Sequence, residues 1–147
     1  MSGYIAGRKT MYDYVHTLSE HVHNISKVYP TLVVGKDVLA GAAGPPWVLG
    51  NFVEIVPINT IASPFDIHWL VIEAITSDAI YELVFYAATT EISRVRFSGQ
   101  AGLAGTVSFS PIPTLMDIQL PNTQIQAKLA CSAGAETATI SVLYHTY

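Results

Sequence analysis

Asp66 and His68, two positions apart in the segment Phe65–Glu73, carry the best chemistry this chain offers. A carboxylate beside an imidazole can relay a proton, and side chains two apart on an extended strand share a face. Glu82 and Glu91, on the segments that follow, are placed to lie across from this pair, with Ser93 as the nearest hydroxyl. Against catalysis stands the ordinariness of the pattern, because His–Glu and Arg–Glu pairs are common wherever strands run side by side. Arg94 and Arg96 share a face and are expected to satisfy Glu82 and Glu91 in that way. No residue is assigned a catalytic role, and the chain is not expected to be an enzyme.

His16, His21 and His23 invite a metal reading that their spacing does not support. On a helix, His21 and His23 would point roughly 200° apart, and no cysteine or carboxylate pair stands at zinc-like spacing from them. They read as solvated histidines, so no metal ligand and no cofactor is assigned. Gly99, Gly102 and Gly105 fall in a small-residue loop, but neither a Lys-Ser/Thr pair nor a helix follows, which removes the phosphate-cradle reading. Cys131 is the only cysteine, so no intrachain disulfide can form. Among Ala130, Ser132 and Ala133 it reads as a small buried hydrophobe.

The elements that must position these residues are strands. Phe65–Glu73, Tyr81–Ala87 and Glu91–Phe97 are rich in β-branched and aromatic residues and are separated by Thr76-Ser77-Asp78 and Ala88-Thr89-Thr90, which predicts a three-stranded meander. In the first strand Phe65, Ile67, Trp69 and Val71 alternate onto one face. Asp66 and His68 begin the other, and Leu70 and Ile72 continue it. Shorter strands are expected at Thr31–Val34, Val38–Ala40, Asn51–Pro57 and Thr106–Ser110. Thr123–Ala130 shows the cleanest alternation, with Ile125, Ala127 and Leu129 inward, and Thr137–Tyr147 closes the chain. Pro111, Pro113 and Pro121 suit a rigid run along a sheet edge. Upstream, Val15, Leu18, Val22, Ile25 and Tyr29 step by three and four and predict a helix over 12–30, stopped by Pro30. Residues 1–11 read as a flexible arm, and 31–147 as the β domain. The fold class expected is mainly β: an antiparallel, jelly-roll-like β-sandwich with an N-terminal arm and one short helix.

With 147 residues the chain suits one domain, large enough to hold a core without disulfide or metal. Half its residues are hydrophobic and only 12% are charged, against about 25% in ordinary globular domains. So few charges leave a lone protomer short of polar groups for its surface, which points to an oligomer or a subunit of a larger assembly. A net charge of −4 with seven scattered basic residues argues against nucleic acid as a partner. The first residues lack a signal-peptide pattern, and apolar stretches are broken well before the ~18 residues of a membrane span, so no membrane partner is expected.

Three phrases carry a family likeness: His23–Leu32 (HNISKVYPTL), Val48–Pro57 (VLGNFVEIVP) and Thr137–Tyr147 (TATISVLYHTY). They resemble small tailed-bacteriophage structural proteins that accompany the major capsid protein, described as decoration, cement or auxiliary head proteins. The resemblance implies a β-sandwich protomer that trimerises on the outside of a mature head and clamps neighbouring major capsid subunits. The protein would be made in the host cytoplasm and would end on the virion surface. A different virion or tail component with a glycan-binding β-sandwich is the alternative, for which Trp47, Tyr81 and Tyr86 would be the aromatic platforms. Partner contacts are expected from the arm (Tyr4, Arg8, Lys9), the helix seam (Val15, Leu18, Val22) and the loop anchors Pro45, Pro46 and Trp47.

Overall fold

A computed structural model of the chain describes residues 26–31, 37–43, 46–100 and 111–147. Among them run nine strands: β1 (Lys27–Tyr29), β2 (Asp37–Ala40), β3 (Val53–Val56), β4 (Phe65–Ile75), β5 (Ala79–Ala87), β6 (Thr90–Gly99), β7 (Ile112–Pro113), β8 (Ile125–Cys131) and β9 (Thr137–Thr146). The first sheet has the order β1-β9-β4-β7, with β2 beside β1 on the same edge of β9. The second has the order β3-β8-β5-β6. Every pairing is antiparallel. The pairs nest: β5 meets β6, β4 meets β7, β3 meets β8 and β2 meets β9, alternating between the sheets. The chain thus behaves as one long hairpin, bent at the β5–β6 turn, whose two arms wind together around the core.

That core lies between the inner faces. Leu39, Phe65, Ile67, Leu70, Ile72, Ala138, Ile140 and Val142 come from the first sheet. Ile55, Tyr81, Leu83, Phe85, Val95, Phe97, Ile125, Ala127, Leu129 and Cys131 come from the second. Tyr81 stacks on Phe97 at 5.3 Å and donates its hydroxyl to the Ser77 carbonyl at 2.8 Å, which satisfies the one polar atom of an otherwise apolar side chain.

The expected sandwich carrying one short helix is corrected to a mainly-β, two-sheet antiparallel fold with no helix among the described residues. Where the last helical turn was expected, Lys27–Tyr29 is extended and pairs with Tyr144, Leu143 and Val142 of β9. The ladder hydrogen bonds of a sheet edge and the packing of Tyr29 on the core outweigh a helical spacing that short segments support only weakly. Residues 12–25 of the expected helix, the arm 1–11, and the expected strands at Thr31–Val34 (beyond Thr31) and Thr106–Ser110 lie outside the described residues.

A second correction concerns β4. Tyr144 faces Ile67 and Leu143 faces Trp69, so His68 is an extra residue in a β-bulge. The bulge shifts the alternation by one. Phe65 and Ile67 point inward before it and Leu70 and Ile72 after it, while Trp69 and Val71 leave the core. This explains why the strand looked apolar on both faces.

Candidate functional site

The outer face of the first sheet gathers a polar cluster at one end of the β4–β9 pair. Asp66 and His145 are direct cross-strand partners, so their side chains rise together from the same face. The Asp66 carboxylate Oδ2 bonds His68 Nε2 at 2.8 Å and accepts the Tyr147 hydroxyl at 3.0 Å. The His68 and His145 rings tilt against each other with centroids 4.1 Å apart, and Ser26 Oγ lies 2.5 Å from His145 Nε2. The Tyr147 amide donates to the Pro64 carbonyl at 2.9 Å, anchoring the end of β9 beside β4. Burial, with the adjoining Asp66 carboxylate, pushes the Tyr147 phenol up to about 12, so it remains a donor at neutral pH.

One ligand atom each from Asp66, His68 and His145 can be chosen so that all three lie within 4.8 Å of one another. Asp66 is buried, and its Oδ1 has no hydrogen-bond partner among the described residues. Beside the cluster is a hollow of about 310 Å³ lined by Ser26, Trp69, Pro111 and Leu143. Among the described residues, serine and carboxylate sit on different imidazoles, whereas a serine–histidine–carboxylate relay needs both on one. Here Ser26 contacts His145, whereas Asp66 bonds His68.

Of the residues singled out from sequence, Asp66 and His68 come together and Glu82, Glu91 and Ser93 do not join them. Ser93 is buried on β6, opposite Phe85. Glu82 and Glu91 lie on the outer face of the second sheet in an ion ladder with the two arginines. Arg96 reaches Glu82 Oε2 through Nη2 at 2.5 Å and Nε at 3.1 Å; Arg94 bonds Glu82 Oε1 and holds Glu91 through two bonds of 2.9 Å. Arg96 foremost, with Arg94, holds the Glu82 carboxyl below its ordinary range, and Arg94 does the same for Glu91. His145, Tyr147 and Ser26 are the members that sequence reasoning missed. Alternation places His145 on one face with Thr139, Ser141 and Leu143, but nothing local says which strand lies beside it.

Tyr4, Arg8, Lys9, Val15, Leu18, Val22 and Pro45, like His16, His21 and His23, lie outside the described residues. Pro46 and Trp47 are exposed. Trp47 holds its backbone at φ 66°, donates its amide to the Cys131 carbonyl at 2.9 Å, and presents its ring to the Arg96 guanidinium at 4.9 Å. Close by, Lys128 sits 4.0 Å over the Phe52 ring, which meets Tyr86 edge-on at 5.0 Å.

The apolar surface lies elsewhere. Residues 114–119 run along the free edge of β4, pinned by Thr114, whose amide reaches the His68 carbonyl at 2.8 Å and whose hydroxyl reaches the Ile67 carbonyl at 2.7 Å. Gln119 and Phe65 exchange both backbone bonds, at 2.7 and 3.1 Å. The segment that this backbone fixes displays Leu115 at 90% exposure, Leu120 at 77% and Ile118 at 55%. Ile58, also exposed, stands in the turn that Asn59 ties to Asn122.

No protein-family model, curated protein or solved structure matches this chain. The two polar assemblies therefore have only their own chemistry to speak for them. The ion ladder satisfies itself, since each acid is already bridged by arginine. The Asp66–His68–His145 cluster is different in kind, because it joins one carboxylate to two imidazoles and keeps a buried oxygen in reserve.

Proposed function

We propose that this chain is a structural virion protein that binds the outside of a tailed-phage capsid and cements neighbouring major capsid subunits, as a homotrimer. The observation that carries the reading is the row of large apolar side chains, Leu115, Ile118 and Leu120, held at high exposure on a backbone-anchored edge. Fully burying one such side chain contributes about 1.5–3 kcal/mol, so their joint exposure favours association. The low charge content and the likeness of three phrases to decoration proteins support the same reading. A two-sheet scaffold with no demand for a reaction suits a clamp, and the proposal gives the chain no reaction of its own.

The glycan-binding alternative draws less support. Tyr81 is buried in the core, and the Trp47 and Phe52 rings already carry Arg96 and Lys128.

Sedimentation of the purified chain and its addition to expanded, undecorated phage heads test the proposal. A trimer that binds heads in saturable numbers is expected, with binding weakened at least tenfold by Leu115→Ser with Leu120→Ser. A monomer with no affinity for heads would refute it.

A further inference from the structure

We propose that Asp66, His68 and His145 form a binding site for a single divalent transition-metal ion of the zinc class. The donor set points there first. Two imidazoles with one carboxylate suit zinc and its neighbours, whereas calcium and magnesium take oxygen ligands throughout.

Geometry points the same way. Ligands 2.0–2.2 Å from a tetrahedral ion stand roughly 3.3 Å from one another. One donor atom from each residue already lies within 4.8 Å of the other two, so modest side-chain rotation reaches the ligating arrangement. Their backbones need not move. Asp66 and His145 are fixed by the β4–β9 register, and His68 by the bulge beside them.

Two further features belong to metal sites more than to ordinary sheet surfaces. The first is Asp66 Oδ1, a buried carboxylate oxygen without a hydrogen-bond partner among the described residues. Such an atom is costly to bury unless a cation or water meets it. The second is the outer layer of hydrogen bonds. Tyr147 donates to the carboxylate at 3.0 Å, and Ser26 contacts His145 Nε2 at 2.5 Å, the kind of support that fixes ligand orientation in metal centres. The His68 side chain retains 26% exposure, which leaves a way in from solvent. Three ligands among the described residues leave a fourth tetrahedral position for water or for a group from outside.

The site does not depend on the assembly reading, and its test does not use heads. The full chain, stripped of metal, is titrated with Zn²⁺ by calorimetry, and with Co²⁺ to read the visible bands of a tetrahedral nitrogen–oxygen site. His16→Gln, His21→Gln and His23→Gln are introduced as a common background, leaving His68 and His145 as the remaining histidines. One ion per chain is expected. His145→Gln or Asp66→Asn should weaken binding by at least roughly 100-fold, and Tyr147→Phe by about 10-fold. If His145→Gln does not fold, His68→Gln, at a half-buried position, carries the same expectation with folding checked by circular dichroism. No Zn²⁺ binding in this background, or binding that His68→Gln leaves unchanged, would overturn the proposal.

Discussion

Asp66 stands directly across the β4–β9 ladder from His145, and the same carboxylate holds His68 at 2.8 Å. Seventy-nine positions separate the two partners in the chain, so only the strand register brings them together. Tyr147 continues the cluster by donating to Asp66 two residues beyond His145. The end of β9 is therefore fastened to the start of β4 through side chains as well as backbone.

This fastening has an alkaline signature. The Tyr147 phenol is raised from 10.0 to about 12 in the folded protein. Its contribution to stability is complete below pH 10 and is lost as pH rises through about 12, because the folded state keeps a proton that the unfolded state releases. Thermal melts of the native chain and of Tyr147→Phe should accordingly differ most at neutral pH and converge above the raised value. A difference that stays constant across the alkaline range would show that Asp66 does not hold the phenol proton.

The ion ladder has an acid one. Depressed folded-state carboxyls at Glu82 and Glu91 contribute stability above their ordinary value of 4.5 and lose it as pH falls through the lower folded value. Glu82 is the more important, since its side chain is only 12% exposed and bridges both arginines. Glu82→Gln should cost about 1–2 kcal/mol near neutrality and flatten the acid limb of a stability–pH curve from urea unfolding.

The β5–β6 turn offers a stabilising change. Ala87 pairs with Thr90, leaving a two-residue loop in which Ala88 takes φ 53°. Left-handed backbone costs a residue with a Cβ about 1 kcal/mol or more, and glycine is favoured at such hairpin positions. Ala88→Gly should raise stability by up to about 1 kcal/mol, read as a higher denaturation midpoint at unchanged m-value.

Thr114 should control the exposed edge. Its buried hydroxyl on the Ile67 carbonyl and its amide on the His68 carbonyl clip the segment carrying Leu115, Ile118 and Leu120 to β4. Thr114→Val removes the hydroxyl bond, leaves its acceptor with less company, and should cost about 1–2 kcal/mol. Hydrogen exchange should quicken at Gln119 while the β5 amides stay protected. If the head-binding proposal holds, the same variant should bind heads more weakly, because its apolar row would have to be ordered on contact.

Several features follow from local pattern. Ile125, Ala127 and Leu129 alternate with Gln124, Gln126 and Lys128, and the first three are buried in β8. Ala138, Ile140 and Val142 face the core from β9 as their spacing predicts. The pairing of Arg94 and Arg96 with Glu82 and Glu91 follows from a short hairpin, where neighbours in sequence become neighbours across the ladder. In each case the information sits within a few residues, because strand alternation and hairpin closure are local.

What the amino-acid order alone determined, then, is seven of the strands (β2 to β6, β8 and β9), most of their inward faces, and the shortage of charge that argues for association. The tertiary structure decided the rest. It drew Lys27–Tyr29 onto β9 as a strand in place of a helical turn, and it set the bulge at His68 that sends Trp69 outward. It also brought Ser26, Asp66, His68, His145 and Tyr147 into one cluster. Period-two alternation says which residues share a face of a strand, but it carries no record of which strand lies alongside or where the register slips. Those are settled only when both sheets compete to bury the same core.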